Sequence, residues 1–170
     1  MQNLVFFNRL FMEKIVQKII EILKDQKLKL ASVESFTGGM FANELTNVPG
    51  ASEIFYGGMI SYSNEFKIQQ LKVKKGLIKK YGVVSQEMAE EMVVKLIKKT
   101  KAHVGISFTG NAGPTSNNQE QVGVGYICVW YLGSLTCLKV VEPEMSRIEF
   151  KTNAILIGFE EILNKIEKNS

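Results

Sequence analysis

Stretches of helical periodicity alternate along this chain with short apolar runs of strand length, and that alternation restricts the fold more than any single motif does. Phe11, Ile15, Ile19 and Ile22 recur near helical spacing in residues 11–25, which predicts an amphipathic helix. "KLASVES" (29–35) reads as a strand running into a loop, "TGG" (37–39) as a turn, and "MFANELTNV" as a helix. A second strand is expected over 57–63 and a short helix in "KKGLIKKYG", ended by Gly82. Ser85 is placed to cap a helix over 86–100, where Met88, Met92 and Leu96 form a core stripe. "HVGISFTG" reads as a buried strand ending in a glycine turn, and Gly133-Ser134 as the turn of a hairpin. Ser146 and Glu149 form an S-x-x-E capping box ahead of a final helix. Helices alternating with strands predict an α/β fold: a single-domain layered sandwich with a mixed central sheet flanked by helices. It covers residues 1–170, with 1–10 as an N-terminal extension. The polar stretch "GPTSNNQEQ" (113–121) reads as a loop that could cover a site.

Composition narrows the function classes. No apolar run approaches the roughly 20 residues of a membrane span, and the apolar start lacks the pattern of a signal peptide. The net charge of +4 comes mainly from lysines on helix faces and in last helical turns, which reads as solvation more than as a nucleic-acid surface. Cys128 and Cys137 fall in strand-like runs with no metal-ligand spacing and no disulfide framework; with no secretion signal, a cytoplasmic location with reduced thiols is expected. No metal and no cofactor are expected. The single histidine, His103, opens a strand and offers no basis for a Ser-His-Asp triad.

Chemistry in an open α/β sheet collects where strands end and loops begin. "ESFTGG" offers Ser35 and Thr37 hydroxyls beside Gly38 and Gly39, whose backbone N–H groups at a helix start suit an anion. "FTGNAGP" repeats the pattern with Thr109 and Gly110. Neither is a P-loop or a G-x-G-x-x-G fingerprint. Between them lies "VPGASEIFYGGMISYSNEFK", residues 48–67. A lysine takes the proton of a serine hydroxyl when burial or neighbouring cations favour its uncharged form. Ser52, Tyr62 and Lys67 are therefore candidates for one reaction centre. Pattern alone favours the plainer reading of each: Ser52 as a helix start after Pro49-Gly50, Tyr62 as a strand aromatic and Lys67 as a solvated helix lysine.

"ESFTGG", "NVPGAS", "YGGMISYSNEFK", "YGVVSQEMAEEM", "FTGNAGP" and "VGVGY" occur in this order over residues 12–166. Together they resemble the C-terminal domain of the competence-damage-inducible protein CinA, the nicotinamide-nucleotide amidase family. The resemblance implies deamidation of nicotinamide mononucleotide to nicotinate mononucleotide and ammonia, a step in pyridine-nucleotide recycling. It implies a stand-alone amidase domain without the N-terminal nucleotide-hydrolysing domain of longer members. It places the nucleophile at Ser52, its partners at Tyr62 and Lys67, and family positions at Thr109 and Arg147, which join Ser35, Thr37, Gly38, Gly39 and Gly110 of the glycine turns as expected substrate contacts. It implies a homodimer or larger homo-oligomer. Phe36, Lys151 and "TSNNQEQ" depart from the family pattern. The rival readings are a nucleotide-binding module without turnover and a DNA-associated role; no recognised DNA-binding motif supports the latter.

Overall fold

In a computed structural model, which describes residues 2–116 and 121–169, the expected layers form around a five-stranded sheet. Helix α1 (Gln2–Asp25) leads to β1 (Leu30–Glu34), α2 (Met40–Thr46), the single turn α3 (Ala51–Ile54) and β2 (Phe55–Ile60). Then come α4 (Asn64–Gln69), α5 (Lys75–Tyr81), α6 (Gln86–Thr100), β3 (Val104–Asn111), β4 (Val124–Tyr131), β5 (Ser134–Val141) and α7 (Arg147–Glu167). The strand order is β2-β1-β3-β4-β5; β1 runs parallel to β2 and β3, and β4 antiparallel to β3 and β5. Helix α1 extends through the expected N-terminal extension. Four residues of the 113–121 loop lie outside the described residues. Among the described residues no helix is long and apolar enough to cross a membrane.

Alternation along the strands sorts the side chains between two cores. Leu30, Val104, Ile106, Phe108, Ile127 and Val129 turn to α1, α2 and α7. Ala31 and Val33 turn to the other face, where Met88, Met92 and Leu96 of α6 are fully buried, as their spacing predicts. Two glycines let the layers approach. A Cβ on Gly105 would lie 2.8 Å from Ile97 of α6, and one on Gly158 of α7 would lie 2.8 Å from Ile106 and Phe108. The capping box forms as expected: Ser146 Oγ accepts from the Glu149 N–H, and the Glu149 carboxylate accepts from the Ser146 N–H at 2.9 Å. The Ser146 hydroxyl, donating to the Glu149 carboxylate, and then the Ser146 N–H hold that carboxyl below its usual range.

The hairpin corrects two expectations at once. Its turn is Leu132-Gly133 rather than Gly133-Ser134, with positive φ at both residues (47° and 97°), as in a type I′ turn. That one-residue difference changes the register. Tyr131 pairs with Ser134, and Cys128 falls opposite Cys137 with Cα atoms 4.1 Å apart. The two cysteines are joined in a disulfide, which corrects the expected reduced thiols. Leu132 is a branched residue in the left-handed region, exposed to solvent. Asn adopts this conformation more readily, so Leu132→Asn is expected to stabilise the chain by about 1 kcal/mol. Thermal unfolding should then rise by roughly 2–4 °C; an unchanged or lower midpoint would count against the turn assignment.

Candidate active site

The carboxyl ends of β1 and β2 lie side by side, because Glu34 pairs with Ile60 in the parallel ladder. Each strand then breaks into a loop. Ser35 leaves β1 with its N–H donating to the Phe108 carbonyl of β3 (2.9 Å). Ser61 leaves β2 with its N–H donating to the Glu34 carbonyl (2.7 Å). The chain next enters α4, capped by Ser63, whose Oγ accepts from the Phe66 N–H (3.0 Å). This short helix turns Lys67 back under the strand ends. Lys67 is 1% exposed, unusual for an amine, since lysines are almost never fully buried unless partnered. Its Nζ lies 2.9 Å from Ser35 Oγ and donates to the carbonyls of Ser61 (2.6 Å) and Tyr62 (3.3 Å).

This geometry corrects the expected pairing. Ser52 is exposed on α3, before the amino end of β2, whereas Lys67 follows its carboxyl end. About 16 Å of extended strand separates the two ends. The α3 turn is anchored at the far edge of the sheet, where Lys24 Nζ reaches the Glu53 carboxylate (2.7 Å) and Lys29 Nζ the Glu53 carbonyl. That pairing holds the Lys24 amine above its usual range, by hydrogen bond first and charge second. The serine beside Lys67 is Ser35, expected only to touch substrate. The family resemblance placed the nucleophile at Ser52; parallel pairing of β1 with β2 instead brings Ser35, more distant in the chain, into contact with Lys67.

Tyr62 meets Lys67 through its carbonyl, not its hydroxyl. The hydroxyl accepts from Arg147 Nη2 (3.0 Å), while Arg147 Nη1 donates to the Gly113 carbonyl (2.5 Å). Arg147, at the first position of α7, thus ties the exposed Tyr62 to the loop after β3. One helical turn on, Lys151 Nζ lies 3.7 Å from where a Cβ on Gly38 would sit. Two cations therefore flank the mouth.

The anion cradle expected at Gly38 and Gly39 is closed. The Gly38 N–H donates to the Ser35 carbonyl (3.1 Å), and the Gly39 N–H to Glu34 Oε2 (3.0 Å). The same carboxylate accepts from Phe41 (3.2 Å) and Ala42 (3.0 Å), so the start of α2 already holds a resident anion. Sequence reading passed over Glu34; a buried acid ahead of a glycine turn is the signal that could have found it. The Thr37 hydroxyl is fully buried and has no partner among the described residues. The N–H groups of Phe36 and Thr37 have no acceptor among the described residues. Thr109 and Gly110 belong to β3 rather than to a turn. The Thr109 hydroxyl donates to the Val83 carbonyl, and a Cβ on Gly110 would lie 2.8 Å from the Gly125 backbone. Phe36 also fills the core, 5.3 Å from the Phe150 ring.

A groove of about 760 Å³ between α2 and α7, floored by Met40, Ile148 and Leu156, is not lined by Ser35, Tyr62 or Lys67. Glu44, Glu144 and Glu149 on its wall disfavour a phosphate ester there.

Fold and site together define a layered α/β domain with a buried Ser–Lys pair at the carboxyl edge of its sheet. The profile of the CinA C-terminal domain matches residues 12–166, and the chain belongs to that family. It is 43% identical over 119 residues to a CinA-like protein of Thermotoga sp. (strain RQ2), covering 69% of this chain and 29% of the relative. It is 36% identical over 160 residues to a putative competence-damage inducible protein of Clostridium perfringens, covering 92% and 37%. The matches thus span only 29% to 37% of these relatives' length. The competence or damage-inducible protein from Enterobacter asburiae shares the fold, with a TM-score of 0.88 at 21% identity over 91% of this chain and 98% of that one. So does competence/damage inducible protein CihA from Agrobacterium tumefaciens, with a TM-score of 0.85 at 25% identity over 90% and 95%.

Proposed function

We propose that this domain is an amidase that deamidates nicotinamide mononucleotide, with Ser35 as nucleophile and Lys67 as general base. The observation that carries the reading is the buried 2.9 Å contact between Lys67 Nζ and Ser35 Oγ. In the uncharged form that this reading requires, two Nζ–H groups donate to the Ser61 and Tyr62 carbonyls and the lone pair turns to the Ser35 O–H. Removal from water favours that uncharged form.

Ser35 Oγ attacks the carboxamide carbon as its proton passes to Lys67. The Phe36 and Thr37 N–H groups take the developing oxyanion, each such donor contributing about 10²–10³ in rate. Lys67 returns the proton to the nitrogen, the C–N bond breaks, and ammonia departs. Water, deprotonated by Lys67, then attacks the acyl ester, releasing nicotinate mononucleotide and restoring the Ser35 hydroxyl. The exposed Tyr62 ring offers a face to the pyridinium. Arg147 and Lys151 supply the charge for the phosphate, since the glycine-turn N–H groups are occupied.

The test is ammonia release from a panel of amides. Nicotinamide mononucleotide is expected to be turned over in preference to free nicotinamide. Binding of the nucleotide without ammonia release would instead identify a sensor. Arg147→Ala is expected to raise KM by about ten- to a hundredfold, the loss of one charge-assisted contact. An unchanged KM would remove Arg147 from the phosphate site.

A further inference from the structure

We propose that Glu34 is the positioning residue of this site, an inference that rests on Ser35 and Lys67 being the reacting pair. The carboxylate is 1% exposed and accepts three backbone N–H groups, with Oε1 on Ala42 and Oε2 on Gly39 and Phe41. It therefore closes the loop that starts at Ser35 onto the first turn of α2. The main chain of the same residue reaches the other half of the pair. Its carbonyl accepts from the Ser61 N–H (2.7 Å) and Ser61 Oγ (3.4 Å), and the Ser61 carbonyl in turn receives Lys67 Nζ (2.6 Å). Glu34 thus connects nucleophile loop and base through hydrogen bonds on both sides, without touching a reacting atom. Three N–H donors converging on one carboxylate fix the direction in which the Phe36 and Thr37 N–H groups point, which an oxyanion site requires.

A merely structural acid and a positioning one differ in what their loss changes. Glu34→Gln retains the size of the side chain but turns an NH2 group toward at least one of the N–H donors, so the loop shifts while Arg147, Lys151 and Lys67 are untouched. The kcat for nicotinamide mononucleotide is expected to fall about 10- to 100-fold, the usual cost of a displacement near 1 Å. KM should stay within about threefold, and the pH midpoint set by Lys67 should not move. Amide hydrogen exchange should quicken at Gly39, Phe41 and Ala42. Labelling of Ser35 by a fluorophosphonate should slow in parallel with kcat, in Glu34→Gln and again in Glu34→Asp, which keeps the charge but not the reach. Wild-type kcat in a folded Glu34→Gln, or a loss confined to KM, would overturn the proposal. So would failure of both variants to fold, which would assign Glu34 to the fold itself. Wild-type protein labelled at Ser35 but releasing no ammonia would remove the substrate reading and leave this one standing; wild-type protein that resists the label would remove both.

Discussion

Ser35→Ala is expected to lower ammonia release from nicotinamide mononucleotide by about 10³-fold or more, while Ser52→Ala keeps the wild-type rate. The first figure follows from deleting a nucleophile, after which only binding and oxyanion stabilisation remain. The second follows from position: Ser52 is exposed on α3, at the opposite end of β2 from Lys67. Its removal should also leave stability within about 0.5 kcal/mol. Steady-state ammonia assays on both variants, with circular dichroism to verify folding, check the pair of outcomes. Equal loss in both variants, or loss only in Ser52→Ala, would contradict the assignment.

Lys67→Met is the second large effect. Met fills similar volume but neither accepts nor donates the proton, so kcat should fall about 10²–10⁴-fold, the range of general acid–base catalysis. The pH dependence has a definite sign. The working form of the base is uncharged, so the wild-type rate is lost as pH falls and Nζ gains its proton. It should drop tenfold per pH unit on that limb, and the residual activity of Lys67→Met should lack the limb altogether. A variant that keeps both rate and limb would mean that another group takes the Ser35 proton.

The elements with strong periodic or capping signals were legible from the residues. Ser85 caps α6 and Ser146 with Glu149 boxes α7, because these hydrogen bonds form within four residues and need nothing distant. The Met88, Met92, Leu96 stripe was legible because i, i+4 spacing fixes one helix face, which packs against Ala31 and Val33 of β1. Helix α4 was legible only as the pattern-alone reading of Lys67 as a helix lysine, with no bounds, because six residues carry too short a period; its cap, Ser63, was in plain view, and Lys67 is buried in it rather than solvated. The disulfide was missed because two cysteines nine residues apart carry no framework in the sequence; only the hairpin register places Cys128 opposite Cys137.

At the site, local sequence determined residue types and loop chemistry: a hydroxyl and two glycines after β1, a tyrosine and a lysine after β2. Which serine meets the lysine was decided by tertiary structure alone. The chain distance from Lys67 is 15 residues to Ser52 and 32 to Ser35, yet the parallel ladder that pairs Glu34 with Ile60 brings the more distant one within 2.9 Å. Occupancy of the glycine-turn N–H groups was decided the same way, by a carboxylate that folds back from the preceding strand end. Turns and caps are contacts between near neighbours in sequence, whereas the Ser–Lys pair exists only once two strands have aligned.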